Sequence, residues 1–189
     1  MVNPSPRSLR RWLVQVVAAF LFVATVGRAQ GPPTAVHIPT ARGTSLAVVE
    51  MALPNSLQGK IGVLVVGFSH ASQEQIADWG RLIEADYGKS AKMTYFEIAM
   101  IGSAPKLLRG VIVKSMAKAV PGAEKPHFVP LVEDDKPWRA VTHYDKPDDA
   151  YLLIVDGDGT VLWQTEGDAT DAAYAGFKRQ LGGMLAGRH

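Results

Sequence analysis

The apolar residues of this chain switch between unbroken runs of strand length and stripes at helical spacing. Residues 61–68 form an almost continuous valine-rich run, interrupted by Gly62 and Gly67. That is the pattern of a strand buried on both faces. A helix start follows. Ser72 is placed to cap the first free N–H groups, and Gln75 stands at the spacing that closes a capping box. Ile76, Trp79, Leu82 and Ile83 then share one helical face, and Gly88 supplies a left-handed stop. Residues 93–100 are a second buried run, so strand, helix and strand make a right-handed unit with the two strands as parallel neighbours.

Upstream, residues 45–52 read as a short strand leading into the sheet, and residues 54–59 as a turn. Downstream, Ser103 is set to cap a second helix with Pro105 in its first turn, running to about Ala119. Leu107, Leu108, Val111, Ile112 and Met116 form its expected buried face, and Lys106, Arg109, Lys114 and Lys118 a basic side. Residues 123–149 carry Pro126, Pro130, Pro137 and Pro147 and show no period, although Trp138 and Tyr144 tie the segment to a core. Residues 151–155 and 160–165 are strands joined by Asp156, Gly157, Asp158 and Gly159, the turn chemistry of a β-hairpin. Residues 169–185 are a last helix with Tyr174, Phe177, Leu181 and Leu185 on one side. This order predicts an α/β domain over residues 43–189 with a thioredoxin-like arrangement, a central mixed sheet with helices on both faces.

Composition narrows the function classes. The 189-residue chain has a net charge of +2, too small to call for nucleic acid. It contains no cysteine, which removes disulfides, thiol redox chemistry, cysteine–zinc sites and lipoprotein anchoring. Residues 1–29 read as a signal peptide: Arg7, Arg10 and Arg11 precede an apolar block, and Gly27 and Ala29 suit cleavage before Gln30. A retained anchor is the alternative, but the block falls short of the roughly 20 apolar residues of a spanning helix. Residues 30–42, with Pro32, Pro33 and Pro39, read as a linker. The expected location is periplasmic or secreted.

In redox proteins with this arrangement, cysteines sit where the first core strand meets its helix, because the helix N-terminus stabilises a thiolate. Here that junction is Ser69-His70-Ala71-Ser72, and the residue leading into the hairpin is Ala150 rather than proline. Both serines are expected to serve the helix start. The chain has no G-x-S-x-G elbow. Asp156 and Asp158 resemble the start of a calcium loop, but the place of its closing glutamate is taken by Gly167, and a hairpin turn explains them. His37, His70, His127 and His143 lack metal-ligand spacing, so no metal or cofactor is expected. Should His70, His127 and His143 meet in space, a hydrolase-like or metal-dependent enzyme is the alternative.

Three stretches carry a family resemblance: GVLVVGFSHASQEQIADW; LLRGVIVKSMAKAVPGAEKPHF; and YLLIVDGDGTVLWQTEGDAT, with Asp156, Trp163 and Gly167. Over about residues 43–185 the chain resembles the thioredoxin-like assembly-factor family typified by the mitochondrial ATP synthase assembly protein. The resemblance implies a non-catalytic protein that binds a protein client and aids its assembly or folding. The candidate docking residues are Ser69, His70 and Ser72 at the strand-to-helix junction, where open α/β sheets bind ligands. Lys106, Arg109, Lys114 and Lys118 on the inserted helix would face an acidic partner surface or anionic lipid headgroups, or else are solvated charges.

Overall fold

The structure is a computed structural model and describes residues 35–187. The expected signal peptide lies outside the described residues. The strands are β1 (Ala41–Thr44), β2 (Glu50–Leu53), β3 (Ile61–Gly67), β4 (Met93–Met100), β5 (Phe128–Leu131), β6 (Ala150–Val155) and β7 (Val161–Glu166). The helices are α1 (Gln73–Tyr87), α2 (Lys106–Ala119), α3 (Lys136–Val141) and α4 (Asp171–Ala186). A five-stranded sheet has the order β5-β4-β3-β6-β7, and β1 and β2 form a separate antiparallel pair. β3 lies at the centre, parallel to β4 from Ile61 against Met93 and antiparallel to β6 from Gly62 against Val155. β5 continues the parallel side, and β7 closes the antiparallel side.

The unbroken apolar run of β3 follows from this position, because both of its faces are covered. Ile61, Val63 and Val65 pack with Ile76, Trp79 and Ile83 of α1 and with Tyr174, Phe177 and Leu181 of α4. Leu64 and Val66 point the other way, onto Met51, Leu53 and Leu57 and onto Trp138 and Val141 of α3. The period of two along the strand therefore divides one run between two cores. Trp79 fixes α1 against the far side of the hairpin, donating from Nε1 to the Gly167 carbonyl at 2.9 Å. Gly167 needs to be glycine, since its φ is +89°.

Several local expectations are corrected. Ser72 is already helical (φ −70°, ψ −7°) and caps nothing with its side chain. Gln75 does not reach back to it; its Oε1 accepts from the Ala150 N–H at 2.7 Å and ties α1 to the start of β6. Gly88 ends α1 in a right-handed conformation (φ −55°), so no left-handed stop is used. Ser103 does not cap α2, whose N-cap is Pro105. Residues 45–49 form a turn rather than a strand. It is closed by the Ser45 N–H on the Val49 carbonyl, and Val48 sits at φ +62°. The expected linker overlaps β1, and within it Ile38 is buried and its N–H donates to Gly159.

The segment without a period holds β5 and α3. Pro130 is tolerated because β5 is an edge strand. The largest difference concerns α2. Of its expected buried face only Met116 is buried, with Ile112 partly packed. Leu107, Leu108 and Val111 are 94%, 51% and 65% exposed. The helical period is real, but three of the five residues of the apolar stripe face outward.

Candidate functional site

The strand-to-helix junction is built by hydrogen bonds between its two serines and from Ser69 to Asp148. The Ser72 hydroxyl donates to the Ser69 carbonyl at 3.0 Å, and the Ser69 hydroxyl accepts from the Ser72 N–H at 3.2 Å. The Ser69 hydroxyl also donates to Asp148 Oδ1 at 3.3 Å. The two serines thus close a tight turn on each other. Ser72 is fully buried with its hydroxyl used inside that turn, so its expected docking role is not available to it. Ser69 is half-buried and His70 is exposed, and both line a cavity of about 270 Å³ between the ends of β3 and β4 and the inner side of α2. Gln73, Met100, Ile112 and Met116 complete the wall that matters here.

The basic side of α2 divides. Arg109 is turned back onto the chain before its own helix: Nε donates to the Ala104 carbonyl at 3.0 Å and Nη2 to the Gly102 carbonyl at 2.5 Å. It braces the start of α2 and is withdrawn from the expected docking set. Lys106, Lys114 and Lys118 are exposed. By helical spacing Lys114 and Lys118 follow Leu107 and Val111 down one stripe, so the exposed apolar residues carry cations beside them.

A second cavity, about 90 Å³, adjoins the first, with Gln73 and Met116 lining both. Its other walls include Ala77 of α1, Val120 after α2, Glu124, and Glu97 of β4. Glu97 is fully buried, and neither carboxylate oxygen has a hydrogen-bond partner among the described residues. Burial pushes its pKa up to about 9, and the neighbouring Glu124 and Glu84 add to the shift. The Glu97 carboxyl lies directly against Gly80, where any Cβ would collide with it. A mid-helix glycine costs about 1 kcal/mol relative to alanine, and this contact accounts for it.

Glu124 is also buried, and desolvation followed by Glu84 raises its carboxyl. Tyr95 donates to Glu84 Oε2 at 2.9 Å, and burial and that bond push its phenol upward. His127 stacks on the Tyr95 ring at 4.1 Å. Glu97 was missed at the level of sequence. Its signal is a lone carboxylate within the apolar run MTYFEIAM.

The histidines do not assemble. His70 stands at the mouth of the larger cavity, and His127 precedes β5 on one edge of the sheet. His143 lies against Gln164 of β7 at the other edge, 2.6 Å from its side-chain nitrogen. No group of three His, Asp or Glu side chains placed to hold a metal occurs among the described residues. Asp156 Oδ1 accepts from the Asp158 and Thr160 N–H groups at 3.0 and 2.8 Å, so the aspartate organises a hairpin turn.

Solved structures share this architecture. A chain assigned as the thiol:disulfide interchange protein DsbE from Chlorobium tepidum superposes with a TM-score of 0.56 at 15% identity, over 80% of this chain and 96% of its own. The fold is thioredoxin-like. The thioredoxin domain of a thiol-disulfide oxidoreductase from Bacteroides vulgatus gives a TM-score of 0.53 at 16% identity, over 79% of this chain and 98% of its own. BsSco, of the Sco family of cytochrome c oxidase assembly proteins, gives 0.53 at 14% identity, over 79% and 95%. No family model and no curated protein matches the chain, so the assembly-factor resemblance stands on its sequence motifs alone. Within a thioredoxin-like fold this junction carries no thiol, and thiol–disulfide exchange has no nucleophile in this chain.

Proposed function

We propose that this is an exported, non-catalytic thioredoxin-like protein that holds a protein client on α2 and the adjoining cavity, and so aids assembly or folding. The observation that carries this reading is the outward apolar face of α2. Leu107 at 94% exposure and Val111 at 65% stand together beside Leu108. A contiguous apolar patch of this kind is costly in water and marks a surface that is covered in use. Lys106, Lys114 and Lys118 around it select the occupant: a client segment with apolar side chains flanked by acidic ones. The larger cavity, with Ser69 and His70 at its mouth, extends the same surface to the strand ends. Export is supported by the leader pattern of residues 1–29. The reading agrees with the assembly-factor resemblance and needs no thiol. The wide separation of His127 from His143 gives the enzyme alternative no comparable support.

The test replaces Leu107 and Val111 with serine, and separately Lys106, Lys114 and Lys118 with glutamate. These side chains are exposed, so melting temperature should move little. Client binding should fall in the serine variant. In the glutamate variant it should fall and lose its salt dependence. Unchanged client binding in both variants overturns the reading.

A further inference from the structure

Beneath the docking face lies a group that client binding does not use. Glu97 is a buried carboxyl in the wall of a cavity, packed against Gly80 and with no hydrogen-bond partner among the described residues. Such a group loses its solvation without compensation, so it calls for a donor. The cavity, at about 90 Å³, has room for a group larger than a single water. Its walls are apolar at Ala77, Met116, Val120 and Phe128, and acidic at Glu97 and Glu124. The last turn of α2 borders it at Ala119, and a helix C-terminus carries negative potential.

We infer that this cavity binds the end of an alkylammonium group, a short aliphatic stem carrying a primary ammonium, with Glu97 as its counter-ion and Glu124 beside it. The stem replaces apolar contacts along Met116, Val120 and Phe128. The ammonium supplies the donors that the carboxylate lacks, and it has three of them for two acidic side chains. The source is a free amine or a lysine side chain of a bound protein. The inference does not depend on the client reading.

Binding of a cation here requires Glu97 to ionise. Other titratable groups around it are Glu84 and Arg81 on α1, Tyr95 on its own strand, and Glu124 and His127 before β5. α2 presents Met116 and Ala119 to the cavity and Lys118 in its last turn to solvent. Because Glu97 holds a proton up to about pH 9, uptake of the ammonium releases that proton. Apparent affinity must therefore rise with pH, close to tenfold per unit between about pH 6 and pH 8.

The test titrates the full chain with n-butylammonium chloride and with Nα-acetyl-lysine methylamide, in amine-free buffer, following amide and methyl resonances by NMR. Affinity in the millimolar range is expected for ligands this small. Shifts centred on Ala77, Met116 and Val120, with the stated pH rise, support the inference. If the lysine derivative binds and butylammonium does not, the source is a protein side chain; comparable binding by both admits a free amine. The controls are n-butanol, Glu97→Gln, and Ala77→Phe, which plugs the mouth from an exposed helix position. Each should abolish the pH-dependent shifts. Absence of shifts at these residues with both amines, binding independent of pH, or undiminished binding in the folded Glu97→Gln or Ala77→Phe protein overturns it.

Discussion

Replacing Glu97 with glutamine should flatten much of the fall in stability that the parent chain shows as pH rises, leaving the part that Glu124 contributes. A glutamate in an unfolded chain has a pKa of about 4.3. In the fold, burial and the neighbouring Glu124 and Glu84 raise Glu97 to about 9. Between those values the folded protein holds one proton more than the unfolded chain. Stability then falls as pH rises, by about 1.4 kcal/mol per unit. The contribution is fully present below the unfolded pKa and is lost as pH climbs through the folded one. From about pH 5 to about pH 8 the loss amounts to a few kcal/mol, a large part of the roughly 5–15 kcal/mol that holds a domain of this kind. Glu124, raised for similar causes, adds to the slope with the same sign.

Glutamine has the size of glutamate and cannot ionise. It leaves an amide in place of a neutral carboxyl, so near pH 5 the variant should lie within about 1 kcal/mol of the parent. Near pH 8 it should be the more stable of the two. Urea denaturation at each pH measures this, with midpoints converted through a common m-value. The buffers must be free of primary amines such as Tris. A parent curve that stays flat or rises across this range refutes the reasoning. So does a variant that keeps the parent slope, since the proton would then belong to another group.

Two further outcomes follow from backbone and packing. Val48 is a β-branched residue at φ +62° in an exposed turn, a conformation that costs about 1–2 kcal/mol in an L-residue. Val48→Asn should raise the melting temperature by about 2–4 °C, and a calorimetric scan showing no gain would count against strain at this turn. Gly80→Ala should destabilise the protein despite alanine's helix propensity, because its Cβ meets the Glu97 carboxyl. The same change made alongside Glu97→Ala should cost markedly less, and additive effects in that double-mutant cycle would deny the contact.

The central strands were legible because burial on both faces leaves only one kind of residue acceptable. β3, β4 and β6 announce themselves as apolar runs, and their order fixed the thioredoxin-like topology. β5 was hidden for the opposite reason. It is four residues long, it carries Pro130, and an edge position removes the constraints that make a strand readable. α3 spans six residues with Pro137 in its first turn, too short to show a helical period. The capping box at Ser72 and Gln75 had the right spacing. Spacing alone could not reveal that Gln75 has a better acceptor role on Ala150, 75 residues away. At the site, His70 and Ser69 were legible as junction residues, whereas Arg109 looked like a docking cation and proved to be a brace for two carbonyls.

α2 shows how a period can be read correctly and still mislead. Apolar residues at helical spacing state that one side of a helix is covered; they do not state by what. The fold covers Met116 and part of Ile112, while Leu107, Leu108 and Val111 face outward. The charges divide along the same helix. Cations surround the outward face, and carboxyls occupy the space beneath it at Glu97 and Glu124. These two surfaces demand opposite things of an occupant, and they answer differently to solution conditions. Contacts to exposed lysines weaken as salt rises, because they are screened over about 10 Å at 0.1 M. A charge pair in the buried cavity is screened far less, yet it depends on pH through Glu97. Salt and pH therefore separate the two sites in one binding measurement: a salt-sensitive, pH-insensitive component belongs to the outer face of α2, and a pH-sensitive component that survives salt belongs to the cavity under it.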